Sequence, residues 1–423
     1  MKKVKYLIIG GGIAGTTAAE FIRMNDPSGS ITIVMEEPET LYSRVLLPHY
    51  LRDQVPYERL YVRKPEGYTE KNIDLVKGVR ADKVNTQNNQ VKLSSGDFIE
   101  YEKLLISSGG KVNRLGVPGK NLKGVTYLRT VKDVIEVKEL MNKAKNGVVI
   151  GGGFIGIEYA QSFIKAGLKT TAIIREPYFW SNVVGENIGK LISKILQKNG
   201  VEIVSGSEVA EFVGGGSLRK VKLKGGKETP AEIAGVGIGI HMDLEYLSDS
   251  DIKINKGVIT NEYLETQTEN VWAAGDIAEF YDVIFSKHHQ MGNWSNAAAQ
   301  GKVAGPNMVA GWGPPNPPAG GGGEREKFIT VSAYTIGIFD NSFTFMGDTV
   351  IDTETELVER GSIQDGKLGR IYLRNGVITG VAFINLPADR RPIEELIKNR
   401  VKIGVEKGKL ADLSFSLNNL LKN

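Results

Sequence analysis

The residues of this chain best suited to chemistry form a glycine run close to its start. Gly10, Gly12 and Gly15 have the spacing Gly-x-Gly-x-x-Gly, with Ile13 and Ala14 between the last two. In such a run the first glycine permits a tight turn, the second lets backbone approach a pyrophosphate, and the third lets a helix lie close on a strand. Unpaired N–H groups at the start of that helix, together with its dipole, favour bound phosphate. Glu36 and Glu37 follow about twenty residues after Gly15, where a carboxylate can accept hydrogen bonds from a ribose diol. The run recurs at Gly151, Gly153 and Gly156, with Phe154 and Ile155 inside it and Arg175-Glu176 beyond the next apolar stretch. A chance turn does not recur with its surroundings, so the repeat argues for two dinucleotides held by one chain.

Each run needs a strand before it and a strand-ending acid or base after its helix. Val4 to Ile9 and Val148 to Ile150 supply the first strands, and Ile31 to Met35 and Thr170 to Ile174 the second. Thr16 to Met24 and Glu158 to Ala166 read as the intervening helices. Other small or polar groups sit at apolar strand ends. Ser107-Ser108-Gly109 follows Tyr101 to Ile106 and is either a plain tight turn or a place where backbone runs close to a cofactor. Gly275-Asp276 follows Val271 to Ala274, and Asp276 is either a helix N-cap or a partner for a cofactor's sugar-alcohol chain. Arg44, in a loop entering a short helix, is either a surface arginine or a partner for a phosphate or for Glu36. Asn296 to Ala310 reads as a small-residue helix made to pack closely. The Pro/Gly-rich stretch from Gly311 to Gly323 reads as a mobile connection. Beyond it, strands are expected at Phe328 to Val331, Phe343 to Met346, Gly369 to Leu373 and Val377 to Asn385, with a helix at Ile393 to Lys398.

With 423 residues the length prior is about three domains. The expected class is α/β: two Rossmann-like dinucleotide-binding domains and a small C-terminal α+β domain. Boundaries are expected at 1–117 with 246–327, 118–245, and 328–423. The 41% hydrophobic and 24% charged residues fit an ordinary globular protein. A net charge of +4 gives weak steering toward an acidic partner at most. The apolar runs are too short for a membrane span, and Met1-Lys2-Lys3 leads straight into a strand without room for a signal peptide. A cytoplasmic location follows as an expectation. There are no cysteines, which removes disulfide, thiolate-metal and nucleophilic-cysteine chemistry. With four histidines, only His288 and His289 adjacent, no metal site is expected.

The two motifs and the terminal domain resemble the FAD-dependent pyridine-nucleotide oxidoreductases over essentially the whole chain. The details are most similar to the rubredoxin and ferredoxin reductases, the flavoprotein part of nitrite reductases, and apoptosis-inducing factor. Beyond the glycines, the resemblance rests on Glu36-Glu37-Pro38 with Tyr42-Ser43-Arg44, on Leu104 to Gly110, on Val271 to Asp276, and on Trp294 to Ala297 with Gln300 to Met308. It implies that Gly10 to Gly15 and Glu36 hold the ADP half of FAD, that Arg44 faces its phosphates, and that Ala81 offers backbone to the adenine. Ser108 and Gly109 would line the cofactor, Asp276 would meet its ribityl or pyrophosphate region, and Ile277 and Trp294 would lie near the flavin ring. Gly151 to Gly156 would bind NADH or NADPH, with Ile238-Gly239-Ile240 covering the nicotinamide side.

Two departures from the resemblance matter. Relatives often carry redox-active cysteine, and this chain has none, so electrons must leave the flavin directly. Relatives also commonly pair a lysine with the glutamate that is here Glu158, and His49 stands in the lysine's place. His49 and Glu158 are thus the expected catalytic pair, in which an imidazole changes charge near neutrality. The resemblance implies hydride transfer from NAD(P)H to FAD. The acceptor would be an acidic ferredoxin or rubredoxin, a quinone, or oxygen. Rival readings are an NADH-responsive redox sensor of the apoptosis-inducing-factor type and a flavoprotein subunit of a larger dehydrogenase. A homodimer is compatible with the resemblance, and nucleic acid is not an expected partner. Arg175 could hold a 2′-phosphate and Glu176 a ribose diol; the reading leans to NADH.

Overall fold

The computed structural model describes residues 1–181, 184–313 and 324–421. The chain divides into two compact units. One comprises Met1–Ser43, Glu58–Lys111 and His241–Ser332, and the other Arg44–Tyr57, Val112–Ile240 and Ala333–Asn423. Residues 314–323, the greater part of the expected connection, lie outside the described residues.

In the first unit the apolar run Lys2–Ile9 becomes the central strand of a parallel sheet, as a stretch buried on both faces must. Ile31–Met35 pairs with it on one side and Phe98–Ile106 on the other, both in parallel. Ile73–Lys77 extends the sheet beyond Ile31–Met35, and Val271–Ala273 extends it beyond Phe98–Ile106. Gln90–Leu93 adds antiparallel to the first part of Phe98–Ile106, and Ala81–Asn85 adds antiparallel to Gln90–Leu93 in turn. Alternate side chains feed opposite cores. Leu7 and Ile9 pack with Val84, Val91 and Leu104, while Tyr6 and Ile8 pack with Ala18, Ile22 and Trp272.

Helix Ile13–Asn25 lies on that second face, and helix Trp294–Ala310 lies on it in turn. A methyl on Gly301 would stand 2.4 Å from the Ala14 carbonyl oxygen, and one on Gly305 2.7 Å from that of Ala18. The small residues of Trp294–Ala310 therefore serve contact with the first helix. The segment Phe328 to Val331, expected as a strand, is irregular. Phe328 is a tether instead: its N–H donates to the Glu262 carbonyl and its ring is buried in the core.

The turn from the first helix to strand Ile31–Met35 is fixed by Asp26. Its carboxylate accepts from Lys5 Nζ at 2.7 Å, Gly29 N at 2.8 Å and the Tyr6 hydroxyl at 2.9 Å. These donors, Lys5 foremost, hold the Asp26 carboxyl well below the ordinary aspartate value of 3.8, against the opposing effect of partial burial. A depressed carboxyl stabilises the fold above its unfolded pKa, and that stability is lost as pH falls through the folded value. Asp26→Asn is therefore expected to lower stability at neutral pH and to flatten its decline below about pH 4. Denaturation midpoints of the two proteins across the acid range check this, and equal slopes would rule it out.

The second unit repeats the plan. Its parallel sheet runs Val201–Val204, Lys169–Ile173, Asn146–Ile150, Ile233–Val236, Val125–Thr126. Helices Phe154–Lys165 and Glu186–Lys198 accompany it, and Val209–Gly214, Leu218–Leu223 and Glu228–Pro230 form a separate antiparallel sheet. The C-terminal segment is a five-stranded antiparallel sheet in the order Ala333–Ile338, Asn341–Gly347, Val377–Ile384, Lys367–Arg374, Thr355–Ser362. Helix Arg390–Lys398 buries Ile393, Leu396 and Ile397. Two of these strands, Ala333–Ile338 and Thr355–Ser362, are additional to those expected from sequence.

Candidate functional site

Each unit builds a cradle at the carboxyl end of its central strand, where open α/β sheets bind ligands. In the first, Gly10 has φ +110° and its missing methyl would lie 2.3 Å from the Ser107 carbonyl oxygen. A methyl on Gly15 would lie 2.1 Å from Gly10 O, whereas one on Gly12 would meet nothing within 4 Å. Two glycines thus close the turn against protein, and the third leaves open space in front of it. The second cradle repeats this: Gly151 has φ +109° and faces Gly237 O at 2.3 Å, Gly156 faces Gly151 O at 2.0 Å, and Gly153 has only Gly237 O at 3.8 Å. Gly12 and Gly153 cap their helices without any side-chain hydrogen bond. Helix Val131–Met141, by contrast, is closed by a full Thr130–Asp133 capping box. The cradle N–H groups are left for an anion. This arrangement fits two dinucleotides on the chain's own geometry.

Around the first cradle, Ser107 Oγ donates to Ile9 O at 3.0 Å and to Gly10 O at 3.1 Å, tying two strand ends together. Ser108 Oγ and the Tyr246 hydroxyl share a hydrogen bond of 3.0 Å. Burial pushes that phenol well above its ordinary range, so it stays neutral. Gly109 has φ +67°. Glu36 is exposed just past strand Ile31–Met35, and Glu37 accepts from the Tyr42 hydroxyl at 2.5 Å. Ala81 is buried at the start of its strand.

Gly275 N donates to Gln300 Oε1 at 2.6 Å, so a buried glutamine on helix Trp294–Ala310 holds the Gly275-Asp276 turn. Asp276 leads into strand Ala278–Asp282, which removes the N-cap reading. Trp294 is half-buried at the first position of its helix. Ile277 is fully buried in the core beside this turn.

Around the second cradle, Asn113 donates from its backbone to Gly239 O at 3.0 Å and from its amide to Ile238 O at 3.2 Å. The turn at Ile238-Gly239 is thereby held beside Gly151. Phe154 stacks on Tyr334 with centroids 5.4 Å apart and leans on Trp180 at 4.9 Å, so its ring is engaged by protein. Ile155 is 36% exposed. Arg175 Nη2 and Glu176 Oε1 form an ion pair of 2.9 Å at the end of strand Lys169–Ile173.

The expected His49–Glu158 pair is replaced. Glu158 pairs with Arg52 Nη1, both side chains being largely buried (15% and 9% exposed). His49 Nδ1 lies 2.7 Å from Gln54 Oε1 instead. His49 sits on the short helix Leu47–Leu51 and Arg52 one residue past its end, and the longer guanidinium reaches the carboxylate. Arg44 Nη1 donates to the Arg129 carbonyl. Arg52, Gln54, Asn113, Tyr246 and Gln300 were not foreseen. Only Arg52, three residues from His49 and so on the same side of a helical turn, carried a local signal.

Two parallel sheets, each with a glycine cradle, define a dinucleotide-handling protein of the doubly wound class. The pyridine nucleotide-disulphide oxidoreductase model matches residues 4–301, and a reductase C-terminal model matches residues 339–421. The chain belongs to the pyridine nucleotide-disulphide oxidoreductase family and is an FAD-dependent NAD(P)H oxidoreductase. It is 26% identical to putidaredoxin reductase of Pseudomonas putida over 98% of this chain and 96% of that one. It is 25% identical to the epsilon subunit of NADH-dependent phenylglyoxylate dehydrogenase of Aromatoleum evansii, over 95% and 93%. In fold it matches the reductase of a covalent putidaredoxin reductase–putidaredoxin complex with TM-score 0.90 and 23% identity, over 100% of this chain and 99% of that one. Among the described residues no helix is long and apolar enough to cross a membrane.

Proposed function

We propose that this protein takes hydride from NADH onto FAD and passes the electrons to a small acidic carrier of the ferredoxin or rubredoxin type, with quinone or oxygen as alternative outlets. The observation that carries this reading is the pair of matched glycine cradles in a chain with no cysteine. Bound FAD supplies hydride acceptance and one-electron release. The domains are taken as 1–117 with 246–327 for FAD, 118–245 for the nicotinamide nucleotide, and 328–423 as a C-terminal domain. Gly10, Gly12, Ile13, Ala14 and Gly15 offer backbone to the FAD pyrophosphate, Glu36 and Glu37 accept from its ribose, and Arg44, Ala81, Ser107, Ser108, Gly109, Gly275, Asp276, Ile277 and Trp294 complete the site. Gly151, Gly153, Phe154, Ile155, Gly156 and Gly239 offer backbone to the nicotinamide nucleotide. Glu158, paired with Arg52, and His49 serve the reaction. Anaerobic titration with NADH and NADPH at the flavin bands, followed by mixing with candidate acceptors, tests donor and outlet together. A protein that stays colourless when supplied with FAD would end this reading.

The Arg175–Glu176 pair favours NADH. A 2′-phosphate would have to displace Glu176 from Arg175 and would meet its negative charge. At a half-exposed site that repulsion costs about 1–2 kcal/mol. Glu176→Ala is expected to move the NADPH/NADH ratio of kcat/KM about tenfold toward NADPH. An unchanged ratio would rule the pair out as the selector.

A second reading is favoured by the Aromatoleum relative, which is itself a subunit. The chain would then feed electrons within a larger dehydrogenase. Affinity purification at native expression distinguishes the two by the presence or absence of stoichiometric partner chains.

A further inference from the structure

The two cradles match in their glycines and differ in the residue that follows them, which is Thr16 in the first and Ile157 in the second. Thr16 is buried. Its hydroxyl oxygen lies 3.2 Å from Gly11 O and 3.1 Å from the Tyr68 hydroxyl, which lies 3.4 Å from Leu41 N. Chemistry fixes the direction of each proton. A carbonyl can only accept, so the one Thr16 hydroxyl proton goes to Gly11 O. A backbone N–H can only donate, so Leu41 gives to the Tyr68 oxygen. Tyr68 must then donate to Thr16. Tyr68 sits on the short helix Pro65–Thr69, and burial pushes its phenol above the ordinary range, so that proton is present at neutral pH. The far end is anchored as well. Leu41 O accepts from Val62 N at 2.9 Å and Arg63 N at 3.1 Å, and Arg63 grips both carboxylate oxygens of Glu20, on the same helix as Thr16, at 2.7 and 3.1 Å.

We propose that Thr16 and Tyr68 are positioning residues whose one-way hydrogen-bond relay presets the first cradle for FAD, and that its absence from the second suits that cradle to a nucleotide that comes and goes. This rests on the reading that FAD occupies the first cradle and NADH the second. The peptide between Gly11 and Gly12 is planar and trans, so its C=O and N–H point opposite ways. With the carbonyl held by Thr16, the Gly12 N–H is turned away from Thr16, at a residue whose missing methyl meets nothing within 4 Å. A donor already in place loses little freedom when its ligand arrives, and the ligand is held more tightly for it. Ile157 has no hydroxyl, so the matching Gly152 carbonyl receives no such bond from that position.

The test reads flavin retention by the full-length, FAD-loaded protein. The FAD that passes an ultrafilter across a dilution series gives the dissociation constant. Thr16→Val, which keeps the shape and removes the hydroxyl, is expected to raise that constant about ten- to a hundredfold, the contribution of one hydrogen bond to a charged group. Thr16→Ser keeps the hydroxyl and is expected to hold FAD as the wild type does. Tyr68→Phe should raise the constant about fivefold, as for a neutral hydrogen bond. The double variant Thr16→Val/Tyr68→Phe should lose no more than Thr16→Val alone, because members of one network do not add. With FAD saturating, the NADH concentration for half-maximal anaerobic bleaching should hold throughout, which a general loosening of the fold would not leave. A Thr16→Val protein that retains FAD and responds to NADH like the wild type overturns the relay. One that retains FAD but needs more NADH overturns the assignment of FAD to the first cradle instead. Thr16→Ser as leaky as Thr16→Val overturns the role of the hydroxyl, and a double variant whose loss is the product of the two single losses overturns the link between Thr16 and Tyr68. Tyr68→Phe, which leaves Thr16 in place, decides alone where Thr16→Val fails to fold, unchanged retention again overturning the relay.

Discussion

Gly15→Val is expected to yield a colourless protein, whereas Gly156→Val is expected to stay yellow and lose its response to NADH. The two substitutions are chemically identical and sit at matched places. A first side-chain carbon at Gly15 would stand 2.1 Å from the Gly10 carbonyl oxygen, and at Gly156 2.0 Å from that of Gly151. Neither neighbour can yield, since both are backbone at the turn itself, so the helix start must move off the strand. That withdraws the N–H groups reserved for pyrophosphate. Losing two charge-assisted hydrogen bonds costs about 3–6 kcal/mol, or two to four orders of magnitude in affinity. Overpacking costs the fold only about 1–3 kcal/mol, so both variants should remain soluble enough to measure. Gly12→Ala separates the effects further. Its methyl meets no protein atom within 4 Å, so the denaturation midpoint should hold while FAD affinity falls. The measurements are flavin absorbance per chain after saturation with FAD, and anaerobic bleaching by NADH. A yellow, NADH-bleachable Gly15→Val protein would mean that the first cradle does not hold the flavin.

Those glycines were legible because their requirement is local. A positive φ or a sub-van-der-Waals neighbour demands glycine whatever the rest of the chain does. The same holds for the small residues of Trp294–Ala310, whose composition announces close packing, although only the structure names the first helix as the surface they meet. What could not be read depends on contacts far apart in sequence. Glu158 pairs with Arg52 and not His49, a choice made by the relative reach of two side chains across the approach of two helices. Ile277 follows a polar turn and could face either way until the strand Ala278–Asp282 turns it inward. Gln300 is one of several polar residues on its helix, and nothing local sets it apart until Gly275 N is found against it. Strand Thr355–Ser362 escaped notice for a related reason. Its charged residues Glu356, Glu359 and Arg360 break the period-two pattern, because Arg360 occupies a position that an apolar side chain would ordinarily fill.

That arginine carries the other large effect: Arg360→Met is expected to destabilise the C-terminal segment by about 3–5 kcal/mol, the cost of breaking a buried ion pair from one side. Arg360 is 2% exposed in the middle of an edge strand. Nε and Nη2 donate to the two oxygens of Asp389 at 2.7 and 3.3 Å. Nη1 donates to Leu410 O at 3.0 Å and Asp412 O at 2.5 Å, and Nη2 also to Phe415 O at 2.9 Å. A guanidinium has five N–H donors, and here each has an acceptor. Three of those acceptors are main-chain carbonyls of the segment after helix Arg390–Lys398, so one side chain does for this tail what a strand ladder does for a sheet. Methionine fills the volume but leaves Asp389 and three carbonyls unpaired in a buried place. Lysine keeps the charge with only three donors from a single point and cannot reach both the carboxylate and the spread carbonyls. Arg360→Lys should therefore rescue little, which separates geometry from charge. Limited proteolysis is the suitable measurement, since a chain of several domains need not unfold in one step. Cleavage after Lys407 and Lys409 should accelerate at least about a hundredfold in Arg360→Met, while flavin content per chain holds, because both cradles lie outside the C-terminal sheet. Equal cleavage rates in the three proteins would mean that the tail is held by its apolar contacts at Leu410, Leu417 and Leu420 alone.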